Sequence, residues 1–549
     1  MNLLSRYIER VDFEDYQDFI KHFRYKTITD FNFGYDVVDE YARISPDKRA
    51  IVWCNSAGEE RIITFGELKK LSDRAANMFL AMGIGKGDFV MTMLNRRYEY
   101  YIINIALCKI GAVLVPATYL LTVKDIEYRC NSAGIKMLIC INEKDVTDYI
   151  NEAAPACPSL RYKMTIGDCE GYLDFHKELD KYSDVLPALP RPAITDTMIV
   201  YFTSGTTGYP KMVMHNFLYP LGHVMTAYYW QSVVDDGLHF TMAESGWAKF
   251  SWGKLYGQWL AGSAVFNYDY YGRFTPTDVL PLLSKYKITT FCAPPTIYRF
   301  FIREDLSHVD FSSLVRMTTA GEPLNPEVFR QIYELTGLQI HEGFGQTESA
   351  VILCASRYCK AVPGSLGLPT AIYDVVLLDD NDDVITEADV EGEICIRLKD
   401  NQFGLLCGYY KDPERTKDAL ETGYYHTGDL ARRDENGYYW FVGRKDDIIK
   451  SSGYRIGPFE VESALMEHPA VLECAITGVP HPERGQIVKA TIILNKGYEP
   501  SDALTKELQE HVKHATAPYK YPRVIEYVKE LPKTISGKIK RKDIRKSDK

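Results

Sequence analysis

Apolar residues follow two patterns along the first third of the chain. Some segments have the spacing of an amphipathic helix, and others are the nearly continuous apolar runs typical of a buried strand. Thr64 and Glu67 form a capping-box pattern, and the apolar positions after them keep helical spacing as far as Met82. Residues 89–94 then form a mostly apolar run typical of a buried strand, and residues 98–110 resume the helical spacing. Helices and strands that alternate in this way predict crossover connections and largely parallel sheets.

The pattern changes twice further along the chain. Residues 374–397 contain short strand-like runs around an Asp-rich turn at 379–383, which predicts a small antiparallel module. Charged residues at 445–447 favour exposure, and helix and strand patterns alternate again beyond them. A chain of 549 residues also exceeds what one hydrophobic core supports. We therefore expect a mixed α/β fold, with a large N-terminal domain (1–445) of parallel-rich sheets wrapped by helices plus the antiparallel module, and a small α/β C-terminal domain (446–549).

The composition, with 46% hydrophobic and 25% charged residues, is that of an ordinary globular protein. A formal net charge of −10 argues against non-specific binding to nucleic acid or to anionic membranes. No apolar run approaches the ~18–20 residues of a membrane-spanning helix, and residues 1–23 show no signal peptide, so we expect no stable membrane insertion. The 12 cysteines lack metal-ligand spacing, which favours free thiols in a reducing compartment and predicts a cytoplasmic protein.

A strand-like run at 198–202 leads into a loop of hydroxyl groups, glycines and one lysine. Glycines let backbone N–H groups approach an anion closely, hydroxyl groups donate further hydrogen bonds, and the lysine adds a positive charge. The spacing is neither that of a Walker A loop nor that of a dinucleotide-binding turn. The loop is therefore a candidate phosphate cradle. Its predicted contacts are Thr203, Ser204, Gly205, Thr206, Thr207, Gly208 and Lys211.

Four further motifs follow in order: EGFGQTE at 342–348, YHTGDL at 425–430, GRKDD through SGYRIG at 443–457, and PKTISGKI at 532–539. Together with the loop they resemble the adenylate-forming superfamily, which includes acyl-CoA synthetases, amino-acid-adenylating domains and firefly luciferase. Residues 457–462 and 517–523 look most similar to the medium-chain acyl-CoA synthetase branch. The resemblance covers nearly the whole chain, and five ordered motifs are far more specific than one.

The resemblance implies that ATP, Mg²⁺ and CoA are used to convert a carboxylic acid first to an acyl-adenylate and then to a thioester. Thr347 is expected at the α-phosphate and Glu348 at Mg²⁺, while Asp429 and Arg444 are expected at the ribose. Lys538 is the expected catalytic lysine, bridging the substrate carboxylate and the α-phosphate. The remaining residues expected at ATP or AMP are Gly321, Glu322, Glu342, Gly343, Phe344, Gly345, Gln346 and Arg455.

The second half-reaction is assigned by the same resemblance to another surface of the C-terminal domain. Ser452, Gly453 and Tyr454 resemble the hairpin along which the pantetheine arm passes, and Asp446 resembles the hinge that makes this domain mobile. A set of basic residues could hold the phosphates of CoA, because clustered cations attract phosphate groups. These residues are Arg484, Lys513, Lys520 and Arg523.

The acyl pocket is predicted at Trp247, Lys249, Trp252, Cys292 and Gly345. Acetate-specific relatives carry a tryptophan at the position of Gly345, so a glycine is expected to leave a channel open for a medium-length, branched or aromatic acid. General core packing is an alternative role for the tryptophans.

Two other functions remain open at this point. An amino-acid-adenylating enzyme would need a carboxylate for the α-amino group; Ala243 argues against it, although Glu244 is adjacent. A non-catalytic nucleotide sensor is disfavoured by the presence of Lys538, Glu348 and Asp429. The oligomeric state, monomer or homodimer, is left undetermined.

Overall fold

Two large sheets with parallel centres carry most of the N-terminal part of the fold. The computed structural model describes residues 2–203, 209–272, 275–399, 402–452, 454–533 and 539–547. One sheet has nine strands, of which the six central ones are parallel. In spatial order its strands are Leu368–Pro369, Leu353–Cys354, Ile340–Phe344, Arg316–Ala320, Thr290–Cys292, Leu238–Thr241, Ala264–Asp269, Arg49–Asn55 and Glu60–Thr64.

The second large sheet has eight strands and ends on one side in an antiparallel pair. Its strands, in spatial order, are Gly408–Tyr409, Lys211–Asn216, Thr197–Thr203, Val113–Pro116, Phe89–Met93, Met137–Ile141, Tyr162–Ile166 and Leu173–Asp174. The strands Phe89–Met93 and Met137–Ile141 are buried at every position. Helices cover both faces of such strands, which explains why these sequences are nearly all apolar rather than alternating.

The helices follow the predicted boundaries closely where capping is strong. Thr64 begins the helix Phe65–Ala81, and its side chain accepts a hydrogen bond from the Glu67 backbone N–H at 3.2 Å, as the capping pattern predicts. The described α-helices are Leu4–Tyr7, Tyr16–His22, Glu40–Ile44, Phe65–Ala81, Glu99–Ile110, Val123–Ala133, Lys144–Ala153, Phe175–Leu179, Tyr219–Val224, Ala248–Gly253, Tyr256–Leu260, Pro276–Lys285, Pro295–Phe301, Pro326–Thr336, Pro413–Leu420, Pro458–Met466, Asp502–Ala515 and Arg541–Ser547. None of them combines the length and the apolar character needed to cross a bilayer.

The predicted antiparallel module is a four-stranded sheet. Its strands are Asp374–Leu378, Glu391–Arg397, Tyr424–Arg433 and Tyr439–Arg444. The Asp-rich turn lies after the first of these strands, and Asp382 there adopts a left-handed conformation with φ of 64°. In the pairing of Glu391–Arg397 with Tyr424–Arg433, the register shifts between Glu393 and Cys395. Such an irregularity bends a strand and re-aims its side chains, and it is frequent beside functional sites.

The last sheet has five strands: Tyr454–Ile456, Ile449–Ser451, Gly485–Leu494, Val471–His481 and Val524–Tyr527. A separate group of buried apolar side chains, from Ile449 to Val512, packs between this sheet and its helices. Contacts to the preceding residues include Asn325 with the Ser463 carbonyl at 3.4 Å and the rings of Phe441 and Phe459 at 5.8 Å. The mixed α/β class, with parallel-rich sheets and an antiparallel module, is confirmed. The boundary at 445–446 stays a prediction.

Candidate active site

The ends of parallel strands gather several predicted site residues at one edge of the nine-stranded sheet. Gly321 directly follows the strand Arg316–Ala320, Cys292 ends its neighbour, and the motif at 342–348 begins in Ile340–Phe344. Because parallel strands end on the same side, their carboxyl-terminal loops face one crevice, the usual ligand site of such sheets. The fold thus brings together segments that are about fifty residues apart in sequence.

The side-chain carboxamide of Gln346 joins this edge of the nine-stranded sheet to the antiparallel module. The Gln346 Nε2 atom donates to Asp429 Oδ2 and to the Thr427 carbonyl, both at 2.7 Å, and the Tyr425 hydroxyl donates to Gln346 Oε1 at 2.8 Å. Asp429 lies directly opposite Arg444 in the sheet, and their charged groups are 3.5 Å apart. The two predicted ribose residues are therefore adjacent, and Asp429 is buried and oriented.

The next motif residue is held through its backbone. The His215 Nε2 atom lies 2.8 Å from the Thr347 carbonyl, and His215 belongs to the strand Lys211–Asn216 that follows the phosphate loop. Burial lowers the pKa of His215 to about 4, so the ring is neutral and its Nε2–H donates to the carbonyl. Its ring stacks on Tyr219 with centroids 3.9 Å apart. This contact positions Thr347 relative to the strand Lys211–Asn216.

Glu348 lies beside the cation at the end of the phosphate loop. The Tyr409 hydroxyl donates to Glu348 Oε1 at 3.3 Å, and the Lys211 ammonium lies 5.5 Å from the centre of the Tyr409 ring. Desolvation lowers the pKa of Lys211, and the Glu348 charge opposes that shift. Arg415 approaches the same ring at 5.8 Å. One carboxylate and two cations around an aromatic ring can accommodate an anionic ligand together with a divalent cation.

The segments predicted to line the adenine differ in how open their surroundings are. Gly321 has φ of +103°, and nothing lies within 4 Å of the position that a Cβ would take. Glu322 is 3.6 Å from the Arg299 guanidinium. Glu342 instead points inward: its Oε1 accepts from the Leu324 backbone N–H at 3.1 Å, and burial raises the pKa of the carboxyl well above its usual range.

Two tryptophans pack against glycines of the same motif. A Cβ on Gly343 would lie 2.5 Å from the Trp230 ring, and a Cβ on Gly345 would lie 2.5 Å from the Trp252 ring. The next residue after Gly343, Phe344, is half-buried against the apolar core under the antiparallel module. The open acyl channel at Gly345 stays a prediction; the indole of Trp252 lies against the position that a side chain at Gly345 would take.

Two of the other predicted pocket residues lie on or beside the helix that carries Trp252, and the third, Cys292, ends a neighbouring strand. Trp247 precedes the short helix Ala248–Gly253, which carries both Lys249 and Trp252. The Lys249 ammonium donates to the Ala320 carbonyl at 2.8 Å, which ties this helix to the strand before Gly321. The Cys292 carbonyl accepts from the Met242 backbone N–H at 2.8 Å, and its side chain is buried.

The predicted CoA residues form two contacting groups. Tyr454 stacks on Tyr519 with centroids 4.0 Å apart, and the Arg484 guanidinium donates to the Ser452 hydroxyl at 3.2 Å. In the second group, Lys513 and Arg523 both lie over the ring of Tyr521, at 4.4 and 4.7 Å. The other lysine of the set, Lys520, is in an ion pair with Glu460 at 2.5 Å.

The predicted hinge residue Asp446 and the predicted AMP contact Arg455 are each in an ion pair with an oppositely charged side chain. Asp446 lies 3.6 Å from the Arg444 guanidinium, and Arg455 is paired at 3.0 Å with Asp380 of the Asp-rich turn. Several predicted residues cannot be placed, because they lie outside the described residues. These are Ser204, Gly205, Thr206, Thr207, Gly208, Gly453 and Lys538.

Four residues of the site escape sequence reasoning: His215, Tyr409, Tyr425 and Trp230. Tyr425 stands at the start of a motif, so its position alone could have marked it. His215, Tyr409 and Trp230 act through contacts with residues that are 60 or more positions away, and no local pattern signals such contacts.

The carboxamide link generates a testable prediction. Tyr425→Phe removes the hydroxyl that holds Gln346, and with it part of the support for Asp429. A lost hydrogen bond of about 0.5–1.5 kcal/mol should weaken ATP binding roughly 2- to 12-fold. Titration calorimetry with ATP measures this change. Tyr424→Phe, one residue away, is the matched control and should bind ATP as the unaltered protein does; equal loss in both variants would contradict the role of the link.

Known proteins with similar sequences and structures include acyl-coenzyme A synthetases and a CoA ligase. The chain is 40% identical over 549 residues to acyl-coenzyme A synthetase ACSM3, mitochondrial, of Mus musculus, covering 98% of this chain and 94% of that protein. It is 42% identical over 528 residues to ACSM4 of the same organism, covering 94% and 90%. The crystal structure of the anthranilate CoA ligase AuaEII in complex with anthranoyl-AMP superposes with a TM-score of 0.87 at 28% identity, covering 95% of this chain and 98% of that one.

The names of these relatives overturn one expectation. Both mouse proteins are described as mitochondrial, which contradicts the predicted cytoplasmic location. The prediction was wrong because free thiols indicate a reducing environment and do not distinguish one reducing compartment from another.

Two family models match this chain in the order that the motifs predict. The model described as AMP-binding enzyme matches residues 38–410, and the model described as AMP-binding enzyme C-terminal domain matches residues 460–538. Together they span the nine-stranded sheet, the phosphate loop and three of the five strands of the last sheet. The family expected from the motifs is confirmed, and this chain belongs to the AMP-binding enzymes.

Proposed function

We propose that this protein is an AMP-forming acyl-CoA synthetase that activates a medium-length, branched or aromatic carboxylic acid with ATP and transfers it to CoA. The observation that carries the proposal is a set of linked contacts: Gln346 bonds to Asp429, Thr347 and Glu348 follow it in the chain, and Glu348 and Lys211 both lie against Tyr409. It aligns an acceptor for ribose hydroxyls with a cation for phosphates. The names of the relatives, acyl-coenzyme A synthetases and a CoA ligase, support the same reaction.

In the first half-reaction a carboxylate oxygen of the acid attacks the α-phosphorus of ATP, and the bond to the β-phosphate oxygen breaks, releasing pyrophosphate. Two anions must approach, and charge grows on the phosphoryl oxygens, so fixed cations and donors lower the barrier. Lys211 supplies one such charge and Thr347 a hydroxyl donor. We assign Lys538, by its motif, to the bridge between carboxylate and α-phosphate.

Mg²⁺ fits the donor set around Glu348. Mg²⁺ prefers oxygen ligands and commonly takes one or two carboxylates together with substrate phosphates. Glu348 is a buried carboxylate that receives one described hydrogen bond, from Tyr409, so an oxygen lone pair remains for a cation. When bound, Mg²⁺ would neutralise charge on the triphosphate. Glu348 would hold it, and Lys211 would hold the phosphate on the other side.

In the second half-reaction the sulfur of CoA attacks the acyl carbonyl, the thiol proton is lost, and AMP leaves with the electrons of the former C–O bond. We infer that residues 446–549 act as a small mobile domain that turns about Asp446 and presents Tyr454 and Gly453 for this step. The cations around Tyr521 and the Arg484–Ser452 pair support phosphate binding on this surface.

The size of the acid is set, in this proposal, by Trp252 rather than by an empty channel at Gly345. The indole fills the side of the site next to the motif, and Lys249 and Cys292 bound the neighbouring wall. An acid longer than acetate then extends past the indole edge.

An amino-acid-adenylating activity has one candidate residue, Glu244. Its carboxylate is buried, and burial raises its pKa to about 6. The Thr118 hydroxyl already donates to its Oε2 at 3.1 Å. Its Oε1 has no hydrogen-bond partner among the described residues, so amino acids are included in the substrate screen.

A pyrophosphate-release screen tests the proposed function. Straight, branched and aromatic acids and the common amino acids are supplied with ATP and Mg²⁺, with and without CoA. We expect release with acids longer than acetate and sustained turnover only when CoA is present. Turnover that is indifferent to CoA, or confined to amino acids, would refute the proposal.

The two half-reactions should be separable by mutation. Lys538→Ala should slow acyl-adenylate formation by ~10²–10³-fold, the scale of a lost charge contact in a transition state. Given preformed acyl-AMP and CoA, the same variant should still form thioester. Gly453→Leu should adenylate normally and stall before the thioester. Lys533→Ala, which removes a nearby lysine paired with Glu473 at 2.9 Å, is the control for charge alone. Equal slowing of both steps by Lys538→Ala argues against the two-surface arrangement.

The Mg²⁺ assignment predicts a specific defect. Glu348→Gln keeps the shape and removes the charge, so the Mg²⁺ concentration for half-maximal adenylation should rise and the rate should fall. Glu327→Gln, in the helix Pro326–Thr336, is the control and should leave the Mg²⁺ titration unchanged. An identical titration for Glu348→Gln would remove this residue from the cation site.

If Trp252 limits the acyl pocket, substitutions at Trp252 and at Gly345 should shift the preferred acid length in opposite directions. Trp252→Leu opens space beside Gly345 and should move the best substrate to longer acids. Gly345→Ala forces the indole away from the motif and into the pocket, and it should shift the preferred substrate to shorter acids. Each methylene group that is gained or lost in such a pocket is worth about 1–3 kcal/mol, or roughly 10- to 200-fold in kcat/KM.

The measurement is kcat/KM against chain length for both variants, with ATP saturation as the internal reference. Trp440→Leu, which changes a tryptophan bound to Asp434 on the antiparallel module, is the matched control. A uniform loss across all acids would show that Trp252 only supports the fold.

A further inference from the structure

The antiparallel module contains a cluster of three potential metal ligands that the proposed chemistry does not use. Glu393 and Cys395 are two residues apart on the strand Glu391–Arg397, and Cys395 lies directly opposite His426 in the neighbouring strand. Residues two apart on a strand project from the same face. All three ligand atoms lie within 4.8 Å of one another.

The separations of these atoms fit a tetrahedral cation. Cys395 Sγ lies 3.4 Å from His426 Nδ1, and His426 Nδ1 lies 3.3 Å from Glu393 Oε2. A tetrahedral zinc ion with ordinary bond lengths sets its sulfur and nitrogen ligands about 3.5 Å apart and its nitrogen and oxygen ligands about 3.3 Å apart. The side chains therefore stand near their ligating positions already.

The other nitrogen of the same imidazole supplies an independent observation. His426 Nε2 faces the Asp382 carboxylate at 3.9 Å, on the Asp-rich turn. Histidines that bind metals through one nitrogen nearly always present the other N–H to a carboxylate or carbonyl, which fixes the ring and the tautomer. Glu393 is oriented by a hydrogen bond, because its Oε1 accepts from the Gly428 backbone N–H at 2.9 Å.

We propose that Glu393, Cys395 and His426 form a binding site for a zinc-class divalent cation, with Asp382 as the orienting carboxylate and water as the fourth ligand. The donor set of one sulfur, one nitrogen and one oxygen is suited to Zn²⁺ and unsuited to Mg²⁺, which prefers oxygen. His426 is 32% exposed and provides access from solvent. On binding, the Cys395 thiol proton passes to solvent and the thiolate joins the cation.

A lysine occupies part of this site at present. The Lys445 ammonium lies 2.9 Å from Glu393 Oε2, the oxygen that the cation would take. Lys445 is 46% exposed whereas Glu393 is buried, so the ammonium is the partner that can move into solvent when a cation takes its place. Cation binding would therefore displace Lys445, and removal of this lysine should strengthen the site.

The test uses the full-length protein, stripped with a chelator and kept in excess Mg²⁺ so that Glu348 is not available to zinc. Competition with a chromophoric chelator gives the stoichiometry and Kd for Zn²⁺, and Co²⁺ reports a thiolate ligand by its charge-transfer absorption. We expect one Zn²⁺ per chain and a cobalt–thiolate band. Failure to bind one equivalent of Zn²⁺ would overturn the proposal.

Variants identify the ligands. Loss of a residue that orients a metal ligand usually weakens metal binding ~10- to 100-fold, so Asp382→Asn should raise the Kd for Zn²⁺ by that factor. Cys395→Ser and His426→Gln remove ligands themselves and should each raise the Kd by at least as much. Cys169→Ser and His308→Gln are matched controls that should leave the Kd unchanged. Circular dichroism verifies that each variant is folded. Equal Kd values in all five variants would overturn the assignment.

Lys445→Met provides a gain-of-affinity test that misfolding cannot imitate. Removal of the competing ammonium should tighten Zn²⁺ binding several-fold, whereas Lys399→Met, paired with Asp374 elsewhere on the module, should not. Unchanged or weaker binding in Lys445→Met would contradict the geometry proposed for Glu393.

Discussion

The hydrogen bonds of Gln346 are the contact on which the arrangement of the site depends. Gln346 comes two residues after a parallel strand of the nine-stranded sheet, yet its amide group bonds to Thr427 and Asp429 of the antiparallel module. Its partners Tyr425, Thr427 and Asp429 are buried and Gln346 is half-buried, so these bonds are largely shielded from bulk water. A buried polar group without a partner costs about 1–3 kcal/mol, which explains why the carboxamide must be satisfied on both ends. The orientation of Asp429 is a consequence of that requirement.

Close packing between aromatic rings and glycines imposes a second constraint. The rings of Trp230 and Trp252 contact the backbone at Gly343 and Gly345, where any side chain would overlap with them. Protein interiors tolerate such overlap poorly, because neighbouring side chains have little free volume. The same two glycines therefore combine a role in the motif with a role in positioning the indoles, and the sequence pattern alone does not separate these roles.

Local and ordered signals in the sequence predict the family, the α/β class, the helix that starts after Thr64 and the antiparallel module around the Asp-rich turn. Contacts made at a distance are not predictable in this way. His215 reaches Thr347 across 132 positions, and Cys395 meets His426 through strand pairing that no short spacing reveals. The absence of a metal-ligand spacing among the cysteines therefore carries less information than we expected. The location in the cell, which is set by targeting and not by the fold, was predicted wrongly.

The link between Gln346 and Asp429 also bears on how such proteins can be recombined. The two partners are 83 residues apart, so a crossover between them inherits each from a different parent. A chimera cut within that interval keeps its ribose acceptor oriented only if both parents share the carboxamide and Tyr425. Cuts that transfer residues 346–429 as a block preserve the contact whatever the second parent contains. Recombination should therefore favour breakpoints outside this interval, and the antiparallel module should be inherited together with the motif that precedes it.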